Sequence, residues 1–407
     1  MSSESTSLMG RPPTRVAGEW RNVSVSSRFG AVFVVLFTTG WVANHFVALM
    51  PAISHRQHLG TATIDAIFGI YALGLLPGLL IGGRASDELG RQAVVLAGSA
   101  TTVVGTAAML VSQQADVLLV GRLIVGVGVG LAMTSGTAWA SDLKGAAGAA
   151  TAGAVMIAGF AIGPFAAGVI AAAGEPGIRV SFVVAAVMVV VAMVITIVAV
   201  QRTDAVLPAA RRDSEQSTPR AKSSARALSW ALPLAPWVFA SATLGFVAIP
   251  ARVHTGLAAP MAAGIATLLV NGSSGLIQII ARAGKWGPRA GTAGAVLAAL
   301  GYALTALAPA TMTVTLSLPL LLVLGCASGL SLREGLIDLE AAAPQHVRGA
   351  LTGMFYALTY IGFGLPLLLT TVESDVSQAI LAVMAVLASA AAVSRAARLR
   401  RDAHRQN

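Results

Sequence analysis

The sequence predicts an all-α membrane protein whose twelve spanning helices form two six-helix bundles. Three observations predict this class: twelve apolar segments, basic residues that favour one side of them, and a glycine pattern that recurs at a fixed separation. Apolar residues make up 56% of the 407 positions and charged residues only 11%, with a mean hydropathy of +0.78. A water-soluble protein carries about a quarter charged residues. The chain therefore lacks the charge to cover a water-facing surface, and the lipid bilayer is its expected solvent and partner.

Twelve segments meet the length that a spanning helix requires, which is roughly 20 mostly apolar residues. They lie near residues 29–52, 62–83, 92–113, 117–140, 148–173, 180–200, 228–249, 258–281, 290–309, 312–334, 348–371 and 377–396. A Ser/Arg/Pro-rich stretch without an apolar run separates the first six from the last six. The predicted organisation is a disordered tail 1–28, a first bundle 29–200, a linker 201–227, a second bundle 228–396 and a short tail 397–407.

The positions of the basic residues predict the orientation. Most of the 27 lysines and arginines fall in the tails, the linker and the loops of one side. Loops rich in Lys and Arg stay in the cytoplasm, so both termini and the linker are expected there, with the protein in the inner or plasma membrane of the cell. The net charge of +10 then reflects topology, and no nucleic-acid partner is expected.

Sequence features give no sign of a cofactor or a metal site. The single cysteine, Cys326, excludes an internal disulfide and a Cys-rich metal site. No nucleotide-binding loop is present, so ATP hydrolysis by this chain is not expected. No obligate protein partner is evident either.

A glycine pattern relates the two halves. Gly126 and Gly130 of the fourth span recur as Gly325 and Gly329 of the tenth, 199 residues later. A parallel repeat of six helices predicts two bundles related by an axis normal to the membrane, with a solute path between them.

The strongest local motif is Gly83-Arg84-Ala85-Ser86-Asp87-Glu88-Leu89-Gly90-Arg91, between the second and third spans. Gly83 and Gly90 permit a tight turn and close helix approach. Asp87 can accept hydrogen bonds from a neighbouring helix start, and Arg91 can pair with a carboxylate. The alternative is a solvated turn that carries ordinary topology charges.

Arg122 is a charge inside a predicted span. Burying it in lipid costs about 2.5 kcal/mol or more unless it is paired or hydrated. Because residues four apart share a helical face, Arg122 lies on the same seam as Gly126 and Gly130, which predicts an inward position. The alternative is a residue close enough to the surface to reach water.

The fifth span contains Gly159, Gly163, Pro164 and Gly168. Gly159 and Gly163 form a close-packing face, and Pro164 removes a backbone donor and kinks the helix. The alternative is that these are general packing glycines of a membrane bundle.

Few other polar residues occur inside the spans. Asn44 and His45 in the first span, with Asn271 and Gln278 in the eighth, are candidates for the solute path. His45 and Asp65 join Arg122 as candidates for proton coupling, since an imidazole titrates near neutrality. Alternatively, His45 only bonds to a neighbour, and Asp65 faces water at the start of its helix.

These motifs resemble those of the major facilitator superfamily. Residues 83–91 resemble its loop motif between spans two and three, although Glu88 replaces the usual basic residue. The segment from Arg122 resembles its span-four motif. Residues 159–168 resemble the span-five motif of its drug/proton antiporters, with Ala167 in place of one glycine.

The resemblance implies the major facilitator fold and a role for each motif. Asp87 would cap the start of span eleven near Arg348 and hold the inner gate shut, and Arg91 would reach Asp142. Arg122 would take part in proton coupling.

The function that the resemblance implies is secondary active transport of a small organic solute by alternating access, with proton-coupled efflux as the first expectation. A substrate importer, symporter or uniporter of the same fold is the alternative. A non-transporting membrane receptor or an intramembrane enzyme is less well supported, because no large soluble domain and no catalytic cluster are evident.

Overall fold

The computed structural model describes residues 14–204, 223–344 and 348–404, and the elements within these ranges are helices joined by turns. Twelve of the helices are long and apolar enough to cross a membrane. In chain order, α1 to α12 are Val25–Gln57, Thr61–Glu88, Arg91–Val111, Ala115–Gly145, Ala147–Ala171, Glu175–Arg202, Ser224–Arg252, Ala259–Ala283, Arg289–Leu307, Val314–Ala342, Leu351–Thr371 and Ser374–Asp402. The predicted class and span count are confirmed.

Three predicted boundaries need correction because the helices run further than the apolar segments. The α1 helix already begins at Thr14, so residues 14–28, assigned to a disordered tail, are helical. Pro12 and Pro13 precede it, where proline fits a helix start. The α12 helix reaches His404, well into the predicted tail 397–407, because Arg, Ala and Leu favour helix.

Most of the predicted linker lies outside the described residues. The α6 helix continues to Asp204 and α7 begins at Ser224, so both ends of the segment 201–227 are helical. Residues 205–222 between them are not described.

The two bundles repeat the same close helix contacts. A methyl group at Gly126 would collide with the carbonyl oxygen of Tyr71, and one at Gly325 would collide with that of Val270, 199 residues further along on both helices. The same separation relates Gly130 on Leu75 to Gly329 on Ser274, and Gly163 on Trp41 to Gly362 on Ala240. The glycine repeat in the sequence is therefore a repeat of backbone contacts in space.

Irregular turns interrupt two spanning helices of the second bundle. In α7 a π-turn covers Leu244–Ala248, and in α11 a 3-10 turn covers Ile361–Gly364. Gly362, Gly364 and the following Pro366 weaken the regular pattern in α11. Within a membrane span, a broken helix is tolerated where it is enclosed by protein or lines a cavity, and such breaks often mark binding sites.

The bundles have two ends, which we name by their turns. The tail face carries the α2–α3 turn at Gly90 and the sharp α4–α5 bend at Lys144 and Gly145. The distal face carries the α1–α2 turn at residues 58–60 and the α11–α12 turn at Val372. Positive φ at Gly90 (90°) and Gly145 (60°) makes both tail-face turns possible.

Candidate functional site

A small cavity lies between the two bundles and is lined by both. Its volume is ≈ 30 Å³, room for about one or two water molecules. The lining residues, which we call the central cage, are Asn44, Tyr71 and Phe160 of the first bundle and Phe239, Phe246, Asn271, Tyr360 and Phe363 of the second. Six of the eight are aromatic and none carries a formal charge. A solute can enter only if the bundles move apart.

Phe363 is the centre of the ring contacts in the cage. Its ring centroid lies 5.1 Å from that of Phe68 and 6.0 Å from that of Tyr71, both on α2 of the other bundle. Within its own bundle it lies 5.2 Å from Phe239 and 5.4 Å from Tyr360. These contacts join α2 to α7 and α11 across the bundle boundary.

Sequence reasoning missed the aromatic residues. A signal was available, because Tyr356, Tyr360 and Phe363 are spaced by four and three residues and so share one face of α11. Phe239 and Phe246 are seven apart on α7, again on one face.

The backbone carbonyl of Phe160 joins the two bundles. Asn271 Nδ2 donates to it over 3.1 Å from the second bundle, and Asn44 Nδ2 over 3.5 Å from the first. The carbonyl is available because its usual helical partner would be the N–H four residues later, and Pro164 has none. The proline therefore creates the acceptor that both asparagines use.

The other two path candidates are not in the central cage. His45 is fully buried, its Nδ1 lies 2.9 Å from the Val42 carbonyl oxygen, and its ring meets the edge of Phe182. Gln278 is on the same helix as Asn271 but outside the cavity lining. The structure thus brings together Asn44 and Asn271, and leaves His45 and Gln278 aside.

Arg122 is fully buried inside the first bundle. Its Nη1 donates to the Ala43 carbonyl over 3.1 Å, and its guanidinium lies 4.4 Å from the ring centroid of Tyr71 and 5.0 Å from that of Phe46. Its Nε and Nη2 have no hydrogen-bond partner within the described residues. The charge is held by aromatic faces and one carbonyl, and it does not reach the surface.

Asp65 links the bundles at the distal face. Its side chain is buried, with 3% of the residue exposed, so the alternative of a water-facing carboxylate is wrong. Thr370 Oγ1 of α11 lies 3.1 Å from Asp65 Oδ2 and can donate to it. We call this contact the distal latch.

Close backbone packing also closes the distal ends. A methyl group at Gly168 of α5 would collide with the Pro260 carbonyl of α8, and one at Gly264 would lie 2.6 Å from the Pro164 carbonyl oxygen. Gly159 packs in the same way on Phe37 of α1.

The loop motif forms a charged cluster at the tail face. Arg91 Nε lies 2.9 Å from Asp142 Oδ2, while Arg91 Nη1 lies 2.7 Å from Asp87 Oδ1 and 2.6 Å from Ser86 Oγ. The arginine therefore ties the α2–α3 turn to the end of α4. Residues 345–347 and the side chain of Arg348 lie outside the described residues, so the capping of α11 by Asp87 stays a prediction.

Another ionic cluster, which sequence reasoning missed, lies at the tail end of the second bundle. Arg395 of α12 is 1% exposed, and its Nη1 lies 2.8 Å from Asp338 Oδ2 and 2.7 Å from the Trp230 carbonyl oxygen. At the same end of α10, Arg333 pairs with Glu334 at 3.0 Å. The contacts of Arg395 fasten α7, α10 and α12 together, whereas the pair of Arg333 and Glu334 lies within α10.

A larger groove of ≈ 1100 Å³ lies on the flank of the second bundle. It is lined by α9, α10 and α12 together with the α8–α9 turn at Trp286, and the first bundle contributes nothing to it. The central cage differs from this groove in that both bundles line it. Within the described ranges, no group of three His, Cys, Asp or Glu residues could hold a metal ion.

Two repeated six-helix bundles enclose a small cavity about midway along their helices, which is the architecture of a polytopic α-helical membrane protein. The family model described as Major Facilitator Superfamily matches residues 32–367. The chain therefore belongs to the Major Facilitator Superfamily.

Similar proteins within the family differ in their named substrates. The chain is 29% identical over 99 residues to the multidrug resistance protein MdtL of Citrobacter koseri, covering 24% of each chain. It is 33% identical over 108 residues to the 3-(3-hydroxy-phenyl)propionate transporter of Escherichia coli, covering 26% of this chain and 27% of the relative. A further match is myo-inositol transporter 1 of Candida albicans, 29% identical over 100 residues, with 25% and 18% covered. Each alignment thus spans about a quarter or less of the relative.

Solved structures share the fold over nearly the whole chain. The POT family transporter PepTSo superimposes with a TM-score of 0.69 at 13% identity, covering 92% of this chain and 97% of the other. A peptide transporter POT in complex with sulfate gives 0.71 at 14%, covering 91% and 94%. At this identity the likeness concerns the fold alone.

Proposed function

We propose that the protein is a secondary active transporter that exports a small organic solute by alternating access, driven by protons. The central cage carries this proposal. It is lined by both bundles, it lies about midway along their helices, and it is too small to admit a solute until the bundles separate. A rocking motion of the bundles would open it to one face at a time.

The two faces carry different inter-bundle contacts, as alternating access requires. At the distal face the latch between Asp65 and Thr370 and the packing of Gly168 on Pro260 join the bundles. At the tail face Gly353 of α11 packs against the side chain of Leu80 of α2. We propose that the cluster of Asp87, Arg91 and Asp142 belongs to the tail-face gate and stabilises the state that is open at the distal face, with Gly83 and Gly90 shaping its turn.

The proton-coupling part of the proposal rests on three residues. Asp65 is a buried carboxylate whose partner belongs to the other bundle. Protonation would weaken the hydrogen bond that it accepts, because bonds to charged acceptors are the stronger ones. A proton that arrives from the distal face would therefore favour distal opening. Arg122 and His45 are buried in the same bundle and are further candidates for this role.

Direction and orientation are also proposals. The Gly159–Gly168 segment with Pro164 and the resemblance to a multidrug resistance protein favour export. We propose that the tail face is cytoplasmic, with both termini inside and the protein in the inner or plasma membrane, because the basic residues collect there. Import or uniport is the second candidate, favoured by the matches to transporters named for phenylpropionates and inositol.

The test is solute flux in proteoliposomes, with and without an imposed pH gradient. The wild type is expected to move a solute from a panel against its concentration gradient only when the pH gradient is present. Arg122→Ala should lose the response to the gradient, while Arg179→Ala is the matched control, because that arginine is exposed and pairs with Glu175, four residues earlier on its own helix. An unchanged response of Arg122→Ala would remove that residue from the coupling mechanism.

For the tail-face gate, Asp87→Asn should slow transport without reducing expression. The carboxylate that pairs with Arg91 is then neutral, so the charged cluster loses one of its two acids. Normal turnover in this variant would favour the ordinary-turn interpretation of the motif.

A further inference from the structure

The central cage has the chemistry of an aromatic binding site. Its six rings come from α2, α5, α7 and α11, and rings of a solute could stack on them or meet them edge to face. No lining residue is charged. The guanidinium of Arg122 lies 4.4 Å from the centre of the Tyr71 ring, on the side of the first bundle. A positive charge behind the wall disfavours a cationic solute.

The polar groups of the cage offer hydrogen-bond donors. Tyr71 is 2% exposed, and its hydroxyl has no partner within the described residues. Asn271 Nδ2 uses the Phe160 carbonyl, which belongs to the other bundle. When the bundles separate, that amide loses its acceptor. A buried donor without a partner is costly.

From these contacts, and resting on the proposed carrier function, we propose that the substrates are flat aromatic solutes that carry a hydrogen-bond acceptor oxygen and no positive charge. The acceptor replaces the Phe160 carbonyl as the partner of Asn271, and Tyr71, which lines the same cavity, offers its unpartnered hydroxyl as a second donor. The rings of the cage hold the flat part of the solute. A solute that carries the acceptor therefore displaces the hydrogen bond between Asn271 and Phe160, which joins the bundles, and supplies Asn271 with a new partner.

Binding to the purified protein in detergent tests the substrate class. The probe is naphthylacetamide, whose ring fluorescence reports binding through anisotropy and whose amide oxygen is the acceptor. Naphthylethylamine keeps the ring but is cationic, and decalinylacetamide keeps the amide but has a saturated ring. Each is used as a competitor and is expected to bind about tenfold more weakly, from lost acceptor or aromatic contacts. Equal binding of all three compounds would overturn the proposal.

Variants test the two donors. Asn271→Leu and Tyr71→Phe should each weaken naphthylacetamide binding by about three- to tenfold, the effect of one hydrogen bond. Neither variant should change the affinity for naphthylethylamine that the competition assay reports. The matched control is Ser273→Ala on the same helix, because its hydroxyl donates to the carbonyl of Val270 in its own helix and does not line the central cage. Tyr71→Phe removes a hydroxyl that has no described partner, so the variant is expected to fold.

Pro164→Ala tests the exchange of acceptors directly. Alanine supplies an N–H that can take the Phe160 carbonyl within its own helix. The Phe160 carbonyl then competes less strongly with the probe for the Asn271 amide, so naphthylacetamide should bind several-fold more tightly. Pro319→Ala, at a proline inside α10, is the control and should leave binding unchanged. If Pro164→Ala and Pro319→Ala bind the probe as the wild type does, the acceptor exchange is wrong.

Binding and flux separate this inference from the proposed function. Selective binding of the amide without flux in proteoliposomes would contradict transport and support the ligand class. Gradient-driven flux of other solutes, with no preference for ring or acceptor, would support transport and contradict the ligand class.

Discussion

Asp65→Asn is expected to loosen the distal face. The variant keeps the shape of the side chain and an oxygen acceptor, but the acceptor is now neutral. A hydrogen bond to a charged group contributes about 1.5–3 kcal/mol, and one between neutral groups about 0.5–1.5 kcal/mol. The expected loss is therefore about 1 kcal/mol, or roughly a fivefold increase in the ratio of distal-open to distal-closed protein.

The surroundings of Thr370 limit the effect to this size. Its hydroxyl also lies 3.0 Å from the Pro366 carbonyl oxygen and 3.1 Å from that of Leu367, both in its own helix. When the carboxylate is neutral or absent, the hydroxyl can turn to these acceptors. Thr370→Val should therefore give about the same change as Asp65→Asn, and the double variant should add little to either.

The assay is a distance distribution between nitroxide labels on the distal face. Thr61→Cys and Glu373→Cys, in a Cys326→Ser background, place labels on exposed residues of the two bundles. Lowering the pH should increase the long-distance population of the wild type, because a protonated carboxylate is a neutral acceptor. Asp65→Asn should not respond. Unchanged populations in Asp65→Asn and Thr370→Val, or an acid response in Asp65→Asn, would refute the latch.

Three further predictions follow from the packing and the ion pairs. Gly130→Ala should lower the free energy of unfolding by about 1–3 kcal/mol through overpacking, and the thermal unfolding midpoint in detergent should fall with it. Gly153→Ala should leave the midpoint unchanged, because nothing lies within 4 Å of the new methyl group. Equal midpoints for the two variants would contradict the close contact at Gly130. Asp142→Asn should lower transport more at low salt than at high salt, since its partner Arg91 is only partly buried; the check is flux against ionic strength, and a parallel loss at all salt concentrations would argue against the pair. Arg122→Lys should be less stable than the wild type in a thermal-shift assay, because an ammonium cannot stack on two rings as the guanidinium does. A stability equal to that of the wild type would count against the stacking.

Much of the fold followed from the sequence because the bilayer imposes a simple length rule. Each spanning helix needs a long apolar run, and such runs are visible without any knowledge of contacts. The ends were less predictable. Residues 14–28 and 397–404 are helical although they are polar, because helix formation depends on local propensity as well as on apolar length.

The candidate site was predictable only in part. Asn44, Asn271 and Pro164 stood out because polar residues and prolines are rare in spanning helices. Their shared partner, the carbonyl of Phe160, could not be found from side-chain types, since it is a backbone atom freed by a missing N–H four residues away. The rings of the central cage were missed because they come from helices that are far apart in the chain.

The burial of Asp65 and the pairing of Asp338 with Arg395 needed the tertiary structure. A carboxylate one turn into a helix predicts a solvated end charge, and only the approach of α11 shows that Asp65 is covered. Likewise, an acid on α10 and an arginine on α12 give no sign of contact until the bundle is assembled.

The most direct test of alternating access is a reversible lock across the distal face. In a Cys326→Ser background, Asp65→Cys and Thr370→Cys place two thiols where the side chains now touch, one on each bundle. Downhill solute flux, which needs no proton, is compared before and after reduction of the cross-link. We expect the oxidised protein to be inactive and reduction to restore flux. Equal flux in the two forms would show that the bundles need not separate at this face.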